Sequence, residues 1–397
     1  MMSGSRLVQF GYLTLLIVGF ATQPSTAIAV YFGVALFFAL AALRRLGEAS
    51  RFELGLLAWM SAGPASLLLF SIPRIGPVAI FHFFVAISAA LAAFGATRDA
   101  AGFRNASKWS LIVSQAAVLA FVASVGVIGF PLERLIAGHS SNGITSYMIV
   151  LQVNYCVVSF VLDRRIPWAT MLATMAICIV GYGRGSIVSS GGLLALSLIA
   201  SIFPRHGRSA LFRVLMVMSV VAGVIALQDT IVLFGTANTK IGSGLADDTR
   251  LRMMREYLQQ LNVFSVFTGG SYEGTVISTV YNANPHNSYI RAHHTFGIVY
   301  LLMIATLPFV VVVRAHGKVW ERIYLFGLLT VLYVRAYTEP ILFPTAFDFF
   351  FFATCFIMIR APRKDPGPAT ASLKGALNVG AAASPTAVRA LLAAAHA

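Results

Sequence analysis

Residues 109–130 read WSLIVSQAAVLAFVASVGVIGF and contain no charged side chain. About 20 helical residues cross the roughly 30 Å hydrocarbon layer of a bilayer, so this stretch predicts a transmembrane helix. Outward from it, comparable runs occupy residues 25–43, 54–73, 78–96, 147–162, 166–183, 185–204, 214–228 and 296–313. A shorter run at 8–21 reads as a first crossing, because no small-residue cleavage site precedes the next run. Two more, 323–334 and 344–359, flank a polar interruption and suggest a broken or re-entrant element. The expected fold is an all-α polytopic membrane protein with about twelve transmembrane helices.

Composition points the same way. Of 397 residues 58% are hydrophobic and 11% charged, with a mean hydropathy of +0.81, which is unlike a soluble globular domain. The formal charge of +15 is then chiefly topology, since Lys and Arg near short loops stay cytoplasmic. With the N-terminus inside, alternating crossings put 20 of the 29 basic residues on that side, among them Arg44, Arg45, Arg51, Arg98, Arg104, Lys108, Arg164, Arg165, Arg205, Arg208, Arg213, Arg314, Lys318, Arg322 and the basic tail. Both termini are expected in the cytoplasm. The basic rim suits anionic membrane lipids, and nucleic acid is not an expected partner.

The three cysteines, Cys156, Cys178 and Cys355, fall in expected helices, which speaks against a disulfide framework or a Cys-rich metal site. Residues 362–397 form an Ala-, Pro-, Gly- and Ser-rich tail without the large apolar residues a core needs, and disorder is expected there. The domain plan is nine crossings in residues 1–234, an external loop over 235–294, and three crossings in 295–361.

Two external connections have room for chemistry, 131–146 and the much longer 235–294. In the second, ADDTRLRMMREYLQQLN (246–262) sets Leu251, Met253, Met254, Tyr257, Leu258 and Leu261 on one face at helical spacing, with Asp247 or Asp248 available as N-cap. A short amphipathic, interfacial helix is expected. Arg252, Arg255 and Gln259 fall on its polar face, where the arginines read as solvated charges. Arg250 projects from the apolar side and needs an acceptor, for which a phosphate suits the planar guanidinium fork; snorkelling to water is the plainer option.

The stretch NPHNSYIRAHHTFGIVY (284–300) closes the loop. With Asn284 as cap and Pro285 at the first position, His286, Ile290, His293, Gly297 and Tyr300 share one face of a helix that starts in water and enters the bilayer. Gly297 on that face admits a close neighbour. His286 and His293 stand about 10 Å apart along such a helix and no His-Glu-x-x-His pattern is present, so zinc is not expected. A neutral histidine at this position can take a proton from a sugar hydroxyl; capping or interface roles suit His293 and His294 better. Arg184, in GYGRGSIVSSGG (181–192), reads equally as a loop arginine and as a second phosphate ligand in a Gly-rich turn whose amides can face an anion.

These residues resemble the signature of the O-antigen ligase and polymerase superfamily of bacterial envelope glycosyltransferases. Its pattern, His, then Asn, Ser or Gln, nine residues, Gly, two residues, and Gly, Thr or Tyr, is met by His286, Asn287, Gly297 and Tyr300. The order of the other features is similar: an Arg-Gly pair opening a helix (Arg184, Gly185), a long external loop with an early Arg250, a Thr-Gly-Gly turn (Thr268 to Gly270), then the histidine motif. Gly183 stands where the family commonly has Ser. The resemblance spans about residues 180–315 by motif.

It implies a metal-independent, inverting glycosyltransferase of the broad GT-C kind in the bacterial inner membrane, needing no cofactor, with its site facing the periplasm. The donor would be an oligosaccharide on undecaprenyl diphosphate, and the acceptor a glycan or lipid A core. His286 would be the base, and Arg184 with Arg250 the diphosphate clamp. Asn287, Ser288, Tyr289, Arg291, Gly297, Tyr300 and Glu339 are expected around the substrates, Glu339 and Asp348 either orienting the acceptor or pairing an arginine. Polymerisation of surface-polysaccharide repeats is the preferred activity, ligation to lipid A core the alternative. A secondary transporter of an anionic substrate would also use the same cations, but predicts an internal repeat that the sequence does not display.

Overall fold

The computed structural model describes residues 42–127, 131–136, 140–202 and 248–360, together with 36, 39 and 40. All belong to one compact unit, and among them there is no strand. In chain order the helices are α1 (Arg51–Ile75), α2 (Pro77–Ala96), α3 (Ala100–Val125), α4 (Ser141–Asp163), α5 (Trp168–Val180), α6 (Arg184–Ile202), α7 (Asp248–Gln259), α8 (Val263–Thr268), α9 (Val276–Thr279), α10 (Ser288–Arg314), α11 (Val319–Thr338) and α12 (Asp348–Ile359). Six of them, α1 to α4, α6 and α10, are long and apolar enough to cross a membrane. The crossings expected at 8–21 and 214–228, most of 25–43, the first part of the external loop and the tail lie outside the described residues.

Local chemistry explains where helices start. Ser50 and Glu53 form a reciprocal capping box at the head of α1, the Ser50 hydroxyl accepting from the Glu53 amide and the Glu53 carboxylate accepting from the Ser50 amide. Asp99 caps α3 by accepting from Gly102 N–H, so that helix begins nine residues before the charge-free run at 109–130 and carries Arg104 and Lys108 on its first turns. Residues 131–146 were expected to be a loop, yet Ser140 caps α4 and everything from Ser141 onward is helical. The run at 166–183 yields only the 13 residues of α5, because Gly181, Tyr182 at φ 56° and Gly183 turn the chain.

Among the six long apolar helices the most enclosed is α4, with 94% of its apolar window buried. It packs against α3, α5, α6, α11 and α12, while α12 is buried along its whole length and also meets α2 and α10. Interhelical polar contacts tie this core: Gln115 donates to the Thr170 carbonyl and to Thr174, Thr174 donates to Gln152, and Asn154 donates to the Phe350 carbonyl and Thr354. Each is satisfied, as polar groups among apolar helices must be.

At the far end from α7 the bundle is stitched by ion pairs, Glu53 with Arg98 at 3.3 Å and Arg360 at 2.8 Å, and Arg164 with Glu321 at 2.9 Å. Glu53 therefore serves two arginines and a helix cap at once. Glu53→Ala leaves both guanidiniums in a half-buried setting without their carboxylate, and is expected to destabilise the bundle by about 2 kcal/mol; a lowered melting temperature in detergent reads this directly.

Candidate active site

The longest expected loop is ordered where it is described. On α7 the inward face is Met253 and Tyr257, both buried, whereas Leu251 and Leu258, expected on the same face, are exposed. Arg252 pairs with Glu256 on the surface. The Glu256 carboxylate also accepts from Val276 N–H, and these two contacts, the amide first, hold its pKa below the usual carboxylate value. That contact clips α7 to α9. Arg250 turns inward and its Nη2 lies 3.1 Å from Glu339 Oε1.

Arg184 is the first residue of α6, where Ser186 and Ile187 donate their amides to the Gly183 carbonyl. The flanking glycines answer a packing need. A Cβ at Gly183 would strike the Asn142 side chain, and one at Gly185 would stand 2.7 Å from Arg335 Nη1 and 2.9 Å from Thr338 Oγ1. Both positions face neighbouring helices, so a side chain at either would have to push Asn142, Arg335 or Thr338 aside.

The expected helix from Asn284 is not formed. Asn284 instead accepts from His286 N–H, and Asn287 is the N-cap, its Oδ1 accepting from the Tyr289 and Ile290 amides. His286 thus lies outside α10, in the left-handed region at φ 47° with Asn282 and Ala283 close behind. Such a backbone costs free energy that the surroundings must offset, and it concentrates at functional sites. The His286 ring meets Tyr281 edge-on and its Nδ1 lies 3.9 Å from Glu339 Oε2.

Arg184, Arg250 and His286 line one cleft of about 250 Å³. Ser140 and Asn142 from the head of α4, Gly183, Gly185, Thr249, Met253, Tyr281 and Arg335 complete its wall. Glu339, only 5% exposed, stands behind it and bridges toward both Arg250 and His286. It pairs an arginine, one of the two roles expected for it.

Arg335 escaped the sequence reading. It is 1% exposed and donates to Ser146 Oγ at 2.8 Å, to the Asn142 carbonyl at 2.9 Å and to Thr338 Oγ1 at 2.7 Å. Its signal was present, since a lone arginine inside an apolar run, four residues before Glu339, is a functional-site hypothesis by default.

The residues expected around the substrate divide differently. Asn287 is a helix cap. Ser288 donates to the Glu339 carbonyl and accepts from Leu342 N–H, Tyr289 donates to the Tyr333 carbonyl, and Arg291 donates to the Pro340 carbonyl. Together they bolt the head of α10 to the segment that carries Glu339. Gly297 and Tyr300 are buried within α10. None of these six is among the residues that line the cleft: Asn287, Ser288, Tyr289 and Arg291 spend polar groups on backbone, and Gly297 and Tyr300 are packed within α10. Asp348 is likewise internal, accepting from the Phe343 and Thr345 amides at the start of α12.

The three histidines part company. His293 Nε2 faces the Val266 carbonyl at 2.8 Å, so it carries the proton and Nδ1 accepts from Tyr257 O–H at 2.7 Å. Tyr257 in turn accepts from Gly270 N–H, and burial raises its pKa, keeping the hydroxyl protonated. His294 donates from Nδ1 to the Gly270 carbonyl and stacks on Tyr272 with centroids 3.7 Å apart. Both hold the Thr-Gly-Gly turn against α10. Among the described residues no three His, Cys, Asp or Glu side chains converge as metal ligands do.

The cleft thus gathers three guanidiniums and a helix N-terminus, with one carboxylate behind it and an imidazole at its edge, a surplus of positive groups that suits an anion. No protein-family model matches the chain, and no curated protein matches it.

Proposed function

We propose that this chain is an inverting membrane glycosyltransferase, similar in kind to the O-antigen ligases and polymerases, that transfers a glycan from undecaprenyl diphosphate to a sugar hydroxyl. The observation that carries the proposal is the meeting of Arg184, Arg250 and His286 in one cleft, from three segments far apart in sequence. In this reading the full chain makes about twelve crossings of the bacterial inner membrane in a GT-C-like arrangement, with the cleft open to the periplasm and both termini inside.

The chemistry follows from the groups present. As the acceptor oxygen forms its bond to the anomeric carbon, its proton passes to His286. The bond from that carbon to the diphosphate oxygen breaks, and the electron pair leaves with the lipid diphosphate. Arg184 and Arg250 balance the charge that grows on the leaving group, and fixed positive groups of this kind are commonly the largest catalytic contribution. Glu339 stabilises the imidazolium that forms and restrains Arg250 between turnovers. Polymerisation is the preferred reaction, with a second lipid-linked repeat as acceptor.

Purified protein given a lipid-linked repeat is expected to release undecaprenyl diphosphate and lengthen the glycan. Arg250→Gln should lower that release about 10²–10³-fold. Offering lipid A core as a rival acceptor separates ligation from polymerisation. If wild-type protein releases no diphosphate with either acceptor, the glycosyltransferase reading fails.

A further inference from the structure

The short helix α8 exposes Val263, Phe264 and Phe267 at 80%, 67% and 56%, and no residue from Leu258 to Tyr272 is charged. An apolar surface of this kind needs a cover. Two observations identify the cover as lipid. The first is continuity: the Phe264 ring meets Phe70 of α1 edge-on at 6.3 Å, and Phe70 and Leu69 are themselves exposed on a helix long enough to span a membrane. The apolar patch of α8 therefore extends the lipid-facing flank of α1.

The second is the state of the helix ends. A short helix leaves most of its terminal amides and carbonyls unpaired, which hydrocarbon does not tolerate. In α8 the Asn262 side chain accepts from Ser265 N–H while the Ser265 hydroxyl accepts from Asn262 N–H. At the other end Thr268 Oγ1 donates to the Phe264 carbonyl, Gly269 N–H donates to the Ser265 carbonyl, and the Val266 carbonyl accepts from His293. Each end is thus partly closed by the chain's own groups, which lowers the cost of placing so short a helix against hydrocarbon.

We propose that α8 is a lipid-inserted anchor, its Val263, Phe264 and Phe267 side chains among the acyl chains of the leaflet on the cleft side, about 5–10 Å below the headgroups. Through the Thr-Gly-Gly turn and Tyr257 the anchor is continuous with α7, so lipid contact sets the depth at which Arg250 stands. The inference needs only that α1 spans the membrane and is independent of the glycosyltransferase reading.

The test uses full-length protein in phosphatidylcholine liposomes carrying an environment-sensitive fluorophore on Phe264→Cys, with Val263→Cys as a second position in case the first disturbs packing. The three native cysteines are buried, which leaves the introduced thiol as the reactive one. Label at either position is expected to emit blue-shifted light that is quenched by a nitroxide high on the acyl chain and not by aqueous iodide. The same label on Glu273→Cys, exposed beyond the turn, should emit as in water and be quenched by iodide. Iodide quenching at 263 and 264 overturns the proposal, and so does blue-shifted emission that the lipid nitroxide leaves untouched, which would mean that a protein surface covers α8.

Discussion

His286→Gly is expected to lower donor turnover about 10²–10⁴-fold while leaving the melting temperature close to that of the native chain. The two halves of this expectation have different origins. Turnover falls because the imidazole at the cleft edge, 3.9 Å from Glu339 Oε2, is placed to take the acceptor hydroxyl's proton. Stability holds because His286 sits at φ 47°, a conformation that costs most residues about 1 kcal/mol or more and costs glycine almost nothing. The strain released roughly offsets the extra chain entropy that glycine brings to the unfolded state. Alanine would confuse the two effects, since it keeps the strain and loses the base. His286→Asn, which tolerates the left-handed region, should behave like the glycine variant in both measurements. A glycine variant that turns over donor at the native rate would remove His286 from the chemistry.

The same backbone explains what the sequence could not display. Helical periodicity shows the direction in which Arg250 points, because about 100° per residue separates it from Arg252 and Arg255 whatever the loop does around it. The transmembrane character of α2, α4 and α10 is equally local, a property of apolar run length. The head of α10 is different. Asn284-Pro285 and Asn287-Ser288 are both good helix starts by residue type, and what selects the second is tertiary: Ser288, Tyr289 and Arg291 all find carbonyls on the 333–342 segment. A register fixed by partners 44 to 51 residues away leaves no trace in a seventeen-residue window. Arg335 was overlooked for the opposite reason, as its local signal was present but its meaning lay in α4 and in the space left by Gly185.

Gly297→Ala is expected to destabilise the protein by about 2–5 kcal/mol, and to lose activity only as far as it loses fold. Gly297 is at φ 74° and ψ −170° inside α10, where the helix breaks and then resumes. The break frees carbonyls, and the neighbours have moved in to meet them: Ser71 and Arg74 donate to the Thr295 carbonyl at 2.6 and 3.3 Å, and Gly269, at φ 99°, lies so close that its own Cβ would stand 2.5 Å from the His293 carbonyl. A Cβ on Gly297 would run into the Phe267 carbonyl, which is backbone and cannot rotate aside. The alanine must therefore either straighten α10 or push α8 and the Thr-Gly-Gly turn away. Straightening would re-form helical bonds but take the Thr295 carbonyl from Ser71 and Arg74, and displacement would open the packing around Tyr257 and so loosen α7. The second route reaches the cleft indirectly, through α7 and its Arg250. Activity and melting temperature should fall together in Gly297→Ala and recover together on cooling, whereas His286→Gly separates them at every temperature. Loss of turnover at an unchanged melting temperature would instead put Gly297 against the substrate.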